Sequence, residues 1–302
     1  SRIQSHVFTI LPGEESKTLS TANDIYNWLA DNHCERGNTL LALGGGVVGD
    51  ITGFVASTFL RGIPFIQLPT SLSAMVDASI GGKTGVNLLN GKNLVGAFYQ
   101  PTLVAADLNT LKTLSSRELS SGWAEAIKHG LILDVELFNT FENRSIDLLN
   151  LEPNLIKEVV EKSMAIKGVI VGQDEKETTG IRTLLNYGHT VGHGLEVATG
   201  YSSFLHGEAV SIGMIAAGLI GKEMGLIDQQ DLDRYTKVLT SYGLPISSPG
   251  VDSEIVLNAM KMDKKVTDKK INWVLLECIG KATTCSNVDE ELVRKIINRL
   301  CA

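Results

Sequence analysis

A short apolar run, Thr39-Leu-Leu-Ala-Leu43, ends in three consecutive glycines, Gly44 to Gly46. Val47, Val48, Gly49 and Asp50 follow, and after Asp50 the pattern is helical. A buried strand that turns through glycines into a helix is the first half of a βαβ unit, because parallel strands must be joined by a long crossover. Pro64-Phe-Ile-Gln-Leu-Pro69 and Thr102-Leu-Val-Ala-Ala-Asp107 repeat the strand signal. Strands alternating with helices commit this region to a mostly parallel sheet. Glycines permit a tight turn and close backbone approach, and a helix N-terminus attracts anions. Gly44 to Asp50 is therefore a candidate nucleotide-phosphate turn; the alternative is a strand-helix turn that holds no ligand.

Past residue 108 the periodicity becomes helical. Ser115-Ser-Arg-Glu118 has the spacing of a capping box and opens a helix that carries Glu125 and Lys128. Amphipathic stretches follow over 151–171, 185–199, 207–224 and 229–242. A loop is expected at 247–250. A small hairpin is expected from 271–276 and the segment after Gly280. The 302 residues suffice for two cores. The boundaries read as a nucleotide-binding α/β domain over 1–107 and a mainly α-helical metal- and substrate-binding domain over 108–302.

Hydrophobic residues at 43% and charged residues at 20% suit a globular chain. A net charge of −7 argues against a nucleic-acid partner. No apolar run has membrane-spanning length, so no membrane partner is expected, and nothing at the start reads as a signal peptide. The chain opens on Ser1, so a processed or trimmed start is expected. Cys34, Cys278, Cys285 and Cys301 lack CxxC spacing and fit reduced thiols of a cytoplasmic protein.

Three of the six histidines, His189, His193 and His206, fall close together. His189 and His193 share one helix face. Thr190 occupies the place of the glutamate in HExxH, which excludes the usual zinc-protease motif. Two histidines and one carboxylate make a common catalytic zinc set with a position left open. Glu125, beside Trp123 and Ala124 on an apolar face, is a candidate third ligand; the alternative is an i,i+4 pair with His129. Ile80-Gly-Gly-Lys83-Thr84 imitates the end of a P-loop, but Asp77 stands where the motif requires glycine. Asp77, Lys83, Lys92 and Asn93 are read as a glycine-rich loop suited to an anionic substrate. Arg182, Lys167 and Lys264-Lys265 add positive charge near these motifs, although each alone reads as a solvated surface group.

Taken together, residues 41–101 resemble the 3-dehydroquinate synthase family, and so do WAEAIKHG, LLNYGHTVGHGLE, LHGEAVSIGM and MDKK further on. The resemblance implies a Rossmann-like α/β N-terminal domain, without its first strands in this chain, and a mostly α-helical C-terminal domain. It implies NAD+ and a divalent metal, Zn2+ or Co2+, and a homodimer in the cytoplasm. The implied reaction converts 3-deoxy-D-arabino-heptulosonate 7-phosphate to 3-dehydroquinate and phosphate in the shikimate pathway. Its stages are transient NAD-dependent oxidation, elimination, reduction and aldol closure. By the same resemblance Glu125, His189 and His206 would be metal ligands, with His193 handling protons. A second acid/base position matches Glu177 once one residue is inserted in DEKETTGIR. Substrate contacts would be Arg61, Asp77, Lys83, Asn93, Lys128, Lys167, Arg182, Asn186 and Lys264, with Lys83 and Asn186 also counted as catalytic. Cofactor contacts would be Glu14, Lys17, Gly45, Gly46, Val47, Asp50, Thr70, Ser71, Lys92 and Thr113. Two rival activities remain: another sugar-phosphate cyclase of this fold, and a metal-dependent polyol dehydrogenase. A non-catalytic binding domain is a third reading.

Overall fold

A computed structural model describes residues 5–89, 91–262 and 271–302. The chain divides into two compact units, Ser1–Thr113 and Leu114–Ala302. The 3-10 turn Leu108–Thr113 thus belongs with the first unit, beyond the boundary expected after residue 107.

In the N-terminal unit, α1 spans Leu19–Asp31, and the Thr18 hydroxyl accepts from the Thr21 N–H to cap it. The expected strands are present as β1 (Leu40–Gly44), β2 (Phe65–Pro69) and a short β5 (Leu103–Val104). They form a parallel sheet in the order β1-β2-β5, with Leu41 opposite Ile66 and Ile66 opposite Leu103. The helix after the glycine turn, α2, runs Gly46–Thr58 and so begins before Asp50. Gly49 explains why this helix lies so close to the sheet: a Cβ there would sit 2.4 Å from Gln67 Oε1 on β2. Leu41, Leu43 and Leu103 stand exposed on the sheet, where both faces of a parallel sheet are ordinarily covered.

The region read as a glycine-rich loop is largely an antiparallel hairpin, β3 (Lys83–Leu88) and β4 (Gly91–Phe98). Lys83 and Lys92 are strand residues. The sequence hides this because Gly85 and Gly96 replace the usual branched side chains. They let the two backbones approach so closely that a Cβ on Gly96 would lie 2.2 Å from the Thr84 carbonyl oxygen. Asp77 lies on a single π-turn, Ala74–Ala78, closed by the Ser79 N–H donating to the Ala74 carbonyl at 3.0 Å.

Among the described residues the C-terminal unit is helical with one hairpin. The capping box at Ser115 and Glu118 opens α3 (Ser116–Leu133). Then come α4 (Val135–Asn143), α5 (Ser145–Leu149), α6 (Pro153–Gln173), α7 (His189–Ala198), α8 (His206–Glu223), α9 (Gln229–Ser241), α10 (Ser253–Met262) and α11 (Glu290–Cys301). The expected hairpin is β6 (Trp273–Cys278) with β7 (Lys281–Cys285). Trp123, Phe141 and Tyr242 join α3, α4 and the end of α9 through ring contacts of 5.3–6.0 Å. Among the described residues no helix is long and apolar enough to cross a membrane. All four cysteines are free thiols.

Candidate metal and substrate site

Three helices of the C-terminal unit converge on one point because their contacts are made through glycine. A Cβ on Gly213 of α8 would lie 1.8 Å from the Gly188 carbonyl oxygen, just before α7. A Cβ on Gly207 would lie 1.9 Å from the Ser121 carbonyl oxygen of α3. Only glycine permits these approaches, and they place the first residues of α7 and α8, His189 and His206, beside the middle of α3. Arg117 reinforces the junction. Its Nε and Nη2 each donate to Glu208 at 2.7 Å, while Glu208 accepts from the Leu205 N–H at 2.8 Å. That fork ties the first turn of α3 to the first turn of α8.

Glu125 is fully buried on α3. Its Oε1 lies 3.4 Å from His206 Nε2 and 3.6 Å from His189 Nε2. Neither carboxylate oxygen makes a well-formed hydrogen bond. Lys128, one turn on, is its ion-pair partner. Burial alone would raise the Glu125 carboxyl, but Lys128, His189 and His206 hold it well below the ordinary carboxylate range. Burial, assisted by Lys128, pushes His189 down to about 3, so it stands neutral. Burial also pulls His206 down, but the carboxylates of Glu125 and Glu196 beside it outweigh that and push it up to about 10.

The donor set fits a divalent cation. In tetrahedral zinc sites with bonds of about 2.0–2.2 Å, neighbouring ligand atoms lie about 3.3–3.6 Å apart. The two distances from Glu125 Oε1 fall in that range. One atom from each of Glu125, His189 and His206 lies within 4.8 Å of the others. A buried carboxylate oxygen without a hydrogen bond is the group such an ion would satisfy. His189 Nδ1 lies 3.2 Å from the Tyr187 carbonyl oxygen, which leaves Nε2 to face Glu125. The His193 ring is 5.4 Å from that of His189 and 6.1 Å from that of His206, close to the trio but outside it.

Three of the cations expected to hold an anion are not surface groups here. Lys128, Lys167 and Arg182 are all buried, which corrects the expectation of solvated charges for the last two. Arg182 opens the 3-10 turn Arg182–Asn186, donates to the Glu175 carbonyl at 2.5 Å, and its Nε lies 3.7 Å from Glu177 Oε1. Glu177 sits at φ 56°, a left-handed conformation unfavourable for its side chain. Asp174 holds this turn in place. Its buried carboxylate accepts from the N–H groups of Thr178, Thr179, Gly180 and Arg182 at 2.7–3.2 Å. Asn186 is exposed at the end of the turn. Lys264 lies outside the described residues.

In the N-terminal unit, Lys17 is buried, ion-pairs with Asp50 at 2.5 Å and donates to Asn93 Oδ1 at 2.6 Å. Asn87 links the cluster to Glu14, donating to its carboxylate at 2.8 Å, and accepts from the Asn93 N–H at 2.9 Å. Glu14, Lys17, Asp50 and Asn93 are thus neighbours. Gly45 caps α2, Gly46 and Val47 form its first turn, and a Cβ on Gly45 would lie 3.3 Å from the Ser71 hydroxyl. The Thr70 N–H donates to the Gly44 carbonyl at 2.9 Å. Thr113 is exposed, its hydroxyl donating to the Thr110 carbonyl. Arg61 is exposed on a 3-10 turn at φ 67°.

Residues that sequence reading missed are Asp174, Arg117, Glu208 and Glu196. Glu196 had a local signal, an acidic residue three positions after His193 on the same helix face. Arg117 and Glu208 had none, because their pairing spans 91 positions.

A glycine turn at a helix N-terminus in one unit and a Glu/His/His set beside a buried lysine in the other describe the class of metal- and nucleotide-dependent enzymes. The comparisons narrow this. Residues 7–121 match the 3-dehydroquinate synthase N-terminal family and residues 122–266 the C-terminal family. The 3-dehydroquinate synthase of Nostoc punctiforme is 47% identical over 292 residues, covering 96% of this chain and 80% of that protein. The chain belongs to the 3-dehydroquinate synthase family. Among solved structures, 2-epi-5-epi-valiolone synthase from Streptomyces hygroscopicus subsp. jinggangensis, with NAD+ and Zn2+ bound, matches with a TM-score of 0.90 at 29% identity. That match covers 96% of this chain and 81% of the other. A 2-deoxy-scyllo-inosose synthase complexed with carbaglucose-6-phosphate, NAD+ and Co2+ matches at 0.87 and 29%, covering 97% and 83%.

Proposed function

We propose that this chain converts 3-deoxy-D-arabino-heptulosonate 7-phosphate to 3-dehydroquinate and phosphate, the shikimate-pathway step its relatives are named for. The observation that carries the reading is the Glu125, His189 and His206 donor set beside buried Lys128, in a chain 47% identical to a 3-dehydroquinate synthase over nearly all its length. Identity to the two cyclases of other products is 29%, which favours the dehydroquinate reaction over theirs.

Glu125, His189 and His206 would hold Zn2+ or Co2+, and the glycine turn with Glu14, Lys17, Asp50, Thr70, Ser71, Lys92 and Thr113 would hold NAD+. When bound, the metal supplies Lewis acidity toward substrate hydroxyls and the nicotinamide supplies reversible hydride uptake. Lys128, Lys167 and Arg182 bind the carboxylate and phosphate of the substrate; buried cations do so strongly because little water competes. His193 accepts and returns a proton near the ligands. Glu177, drawn toward Arg182, is the second acid/base group. Asn186 orients substrate in the C-terminal unit; the family resemblance also assigns Arg61, Asp77, Lys83, Asn93 and Lys264 to substrate contact. Homodimer formation and a cytoplasmic location belong to this proposal; the free thiols support the second.

Incubation of the protein with NAD+, Zn2+ and the heptulosonate phosphate is expected to release phosphate without net NADH. Turnover of sedoheptulose 7-phosphate in its place would move the assignment to another cyclase. Accumulation of NADH with a simple polyol would move it to a dehydrogenase.

A further inference from the structure

The two imidazoles that face Glu125 are fixed by different means. His189 is 13% exposed at its side chain, and the Tyr187 carbonyl oxygen takes its Nδ1. His206 is 42% exposed and is the first residue of α8, so packing alone does not fix its ring. What stands behind it is Glu196. Its Oε1 is 3.5 Å from His206 Nδ1, and Glu196 itself is only 6% exposed. A carboxylate is rarely buried on a helix unless a donor or a charge requires it. Glu196 lies seven residues after His189 and three after His193, so α7 presents all three to the same region.

We propose that Glu196 is a positioning residue: by accepting from Nδ1–H it holds the His206 ring with Nε2 toward Glu125, where a divalent cation would take the place of the Nε2 proton. The inference rests on the metal reading given above. A carboxylate in this place both orients the ring and raises its basicity as a ligand. His193, Glu196 and His206 also satisfy the distances of a cation site. A second ion there, beside one held by Nε2, would require His206 as an imidazolate anion between two carboxylates, an arrangement their charges oppose. Positioning is therefore the role assigned.

The test is Zn2+ affinity of the full chain, measured by competition with a chromophoric chelator, together with the absorption bands of the Co2+ form. Wild type is expected to bind one ion per chain. Glu196→Ala should bind about 10–100-fold more weakly and shift the Co2+ bands. Glu196→Gln, whose amide oxygen still accepts from Nδ1–H, should lose less than Glu196→Ala. Unchanged affinity and spectrum in Glu196→Ala would overturn the inference while leaving the metal reading intact. A second ion in wild type that disappears in Glu196→Gln would overturn it in favour of a second site. Failure of wild type to bind any ion would overturn both.

Discussion

In the N-terminal unit, Lys17 meets Asp50 across 33 positions and rests on a helix whose start is announced by three glycines in a row. In the C-terminal unit, Glu125 on α3 meets His189 and His206 from two other helices, and glycines that carry no local motif set the approach. The difference teaches where each kind of site draws its geometry. A phosphate turn is made by consecutive residues, so backbone conformation suffices. A metal set needs side chains from several elements held to within tenths of an ångström, so helix packing decides it.

The sharpest break of the comparison removes a donor from the second site. His189→Ala or His206→Ala should abolish metal retention, measured by metal analysis after dialysis, and lower kcat/KM about 10³-fold or more. NAD+ affinity should survive, since its proposed contacts lie in the other unit. Unchanged metal content in both variants would remove these residues from the ligand set.

His193→Ala should keep the metal and lower kcat roughly 10²-fold. This separates a proton-handling residue from its ligand neighbours 5.4 and 6.1 Å away between ring centres. Full turnover would leave His193 with a packing role only.

The packing argument can be sharpened with two alanines. Gly213→Ala places a Cβ against the Gly188 carbonyl oxygen, so α7 and α8 must separate. Urea denaturation should show a loss of about 1–3 kcal/mol even after alanine's better helix propensity, with weakened metal binding. Gly49→Ala meets only the end of the Gln67 side chain and should cost less. The reverse order would contradict the role given to helix approach.

The smallest effect concerns Asp174. Burial raises its carboxyl, but the N–H groups of Thr179, Arg182 and Thr178 and the Thr179 hydroxyl outweigh it and hold it at about 2, against an ordinary 3.8. A carboxyl depressed in the folded state contributes stability that is complete above about pH 3.8 and is lost as the pH falls toward 2. Asp174→Asn should therefore be less stable than wild type at neutral pH, with the gap in urea midpoint closing between pH 3.8 and 2. A constant gap across that window would show that the carboxylate charge is immaterial.

Much of this was legible beforehand. Strands at 39–43, 64–69 and 102–107 announced themselves by apolar runs, and Ser115 with Glu118 announced the helix that carries Glu125. The β3–β4 hairpin did not, because Gly85 and Gly96 removed the alternating side chains by which a strand is recognised. The burial of Lys167 and Arg182 was equally hidden: a charged residue in a helix or turn reads as solvated until neighbouring elements close over it.

By itself the sequence determined the α/β-then-α order, the glycine turn and the residue types of a cation site, since each depends on neighbours within a few positions. The tertiary structure alone decided that Lys128 is buried against Glu125, that Asp174 braces the turn carrying Arg182, and that Glu196 stands behind His206. Those relations depend on which helices touch and how closely, and glycine contacts between distant segments set that distance.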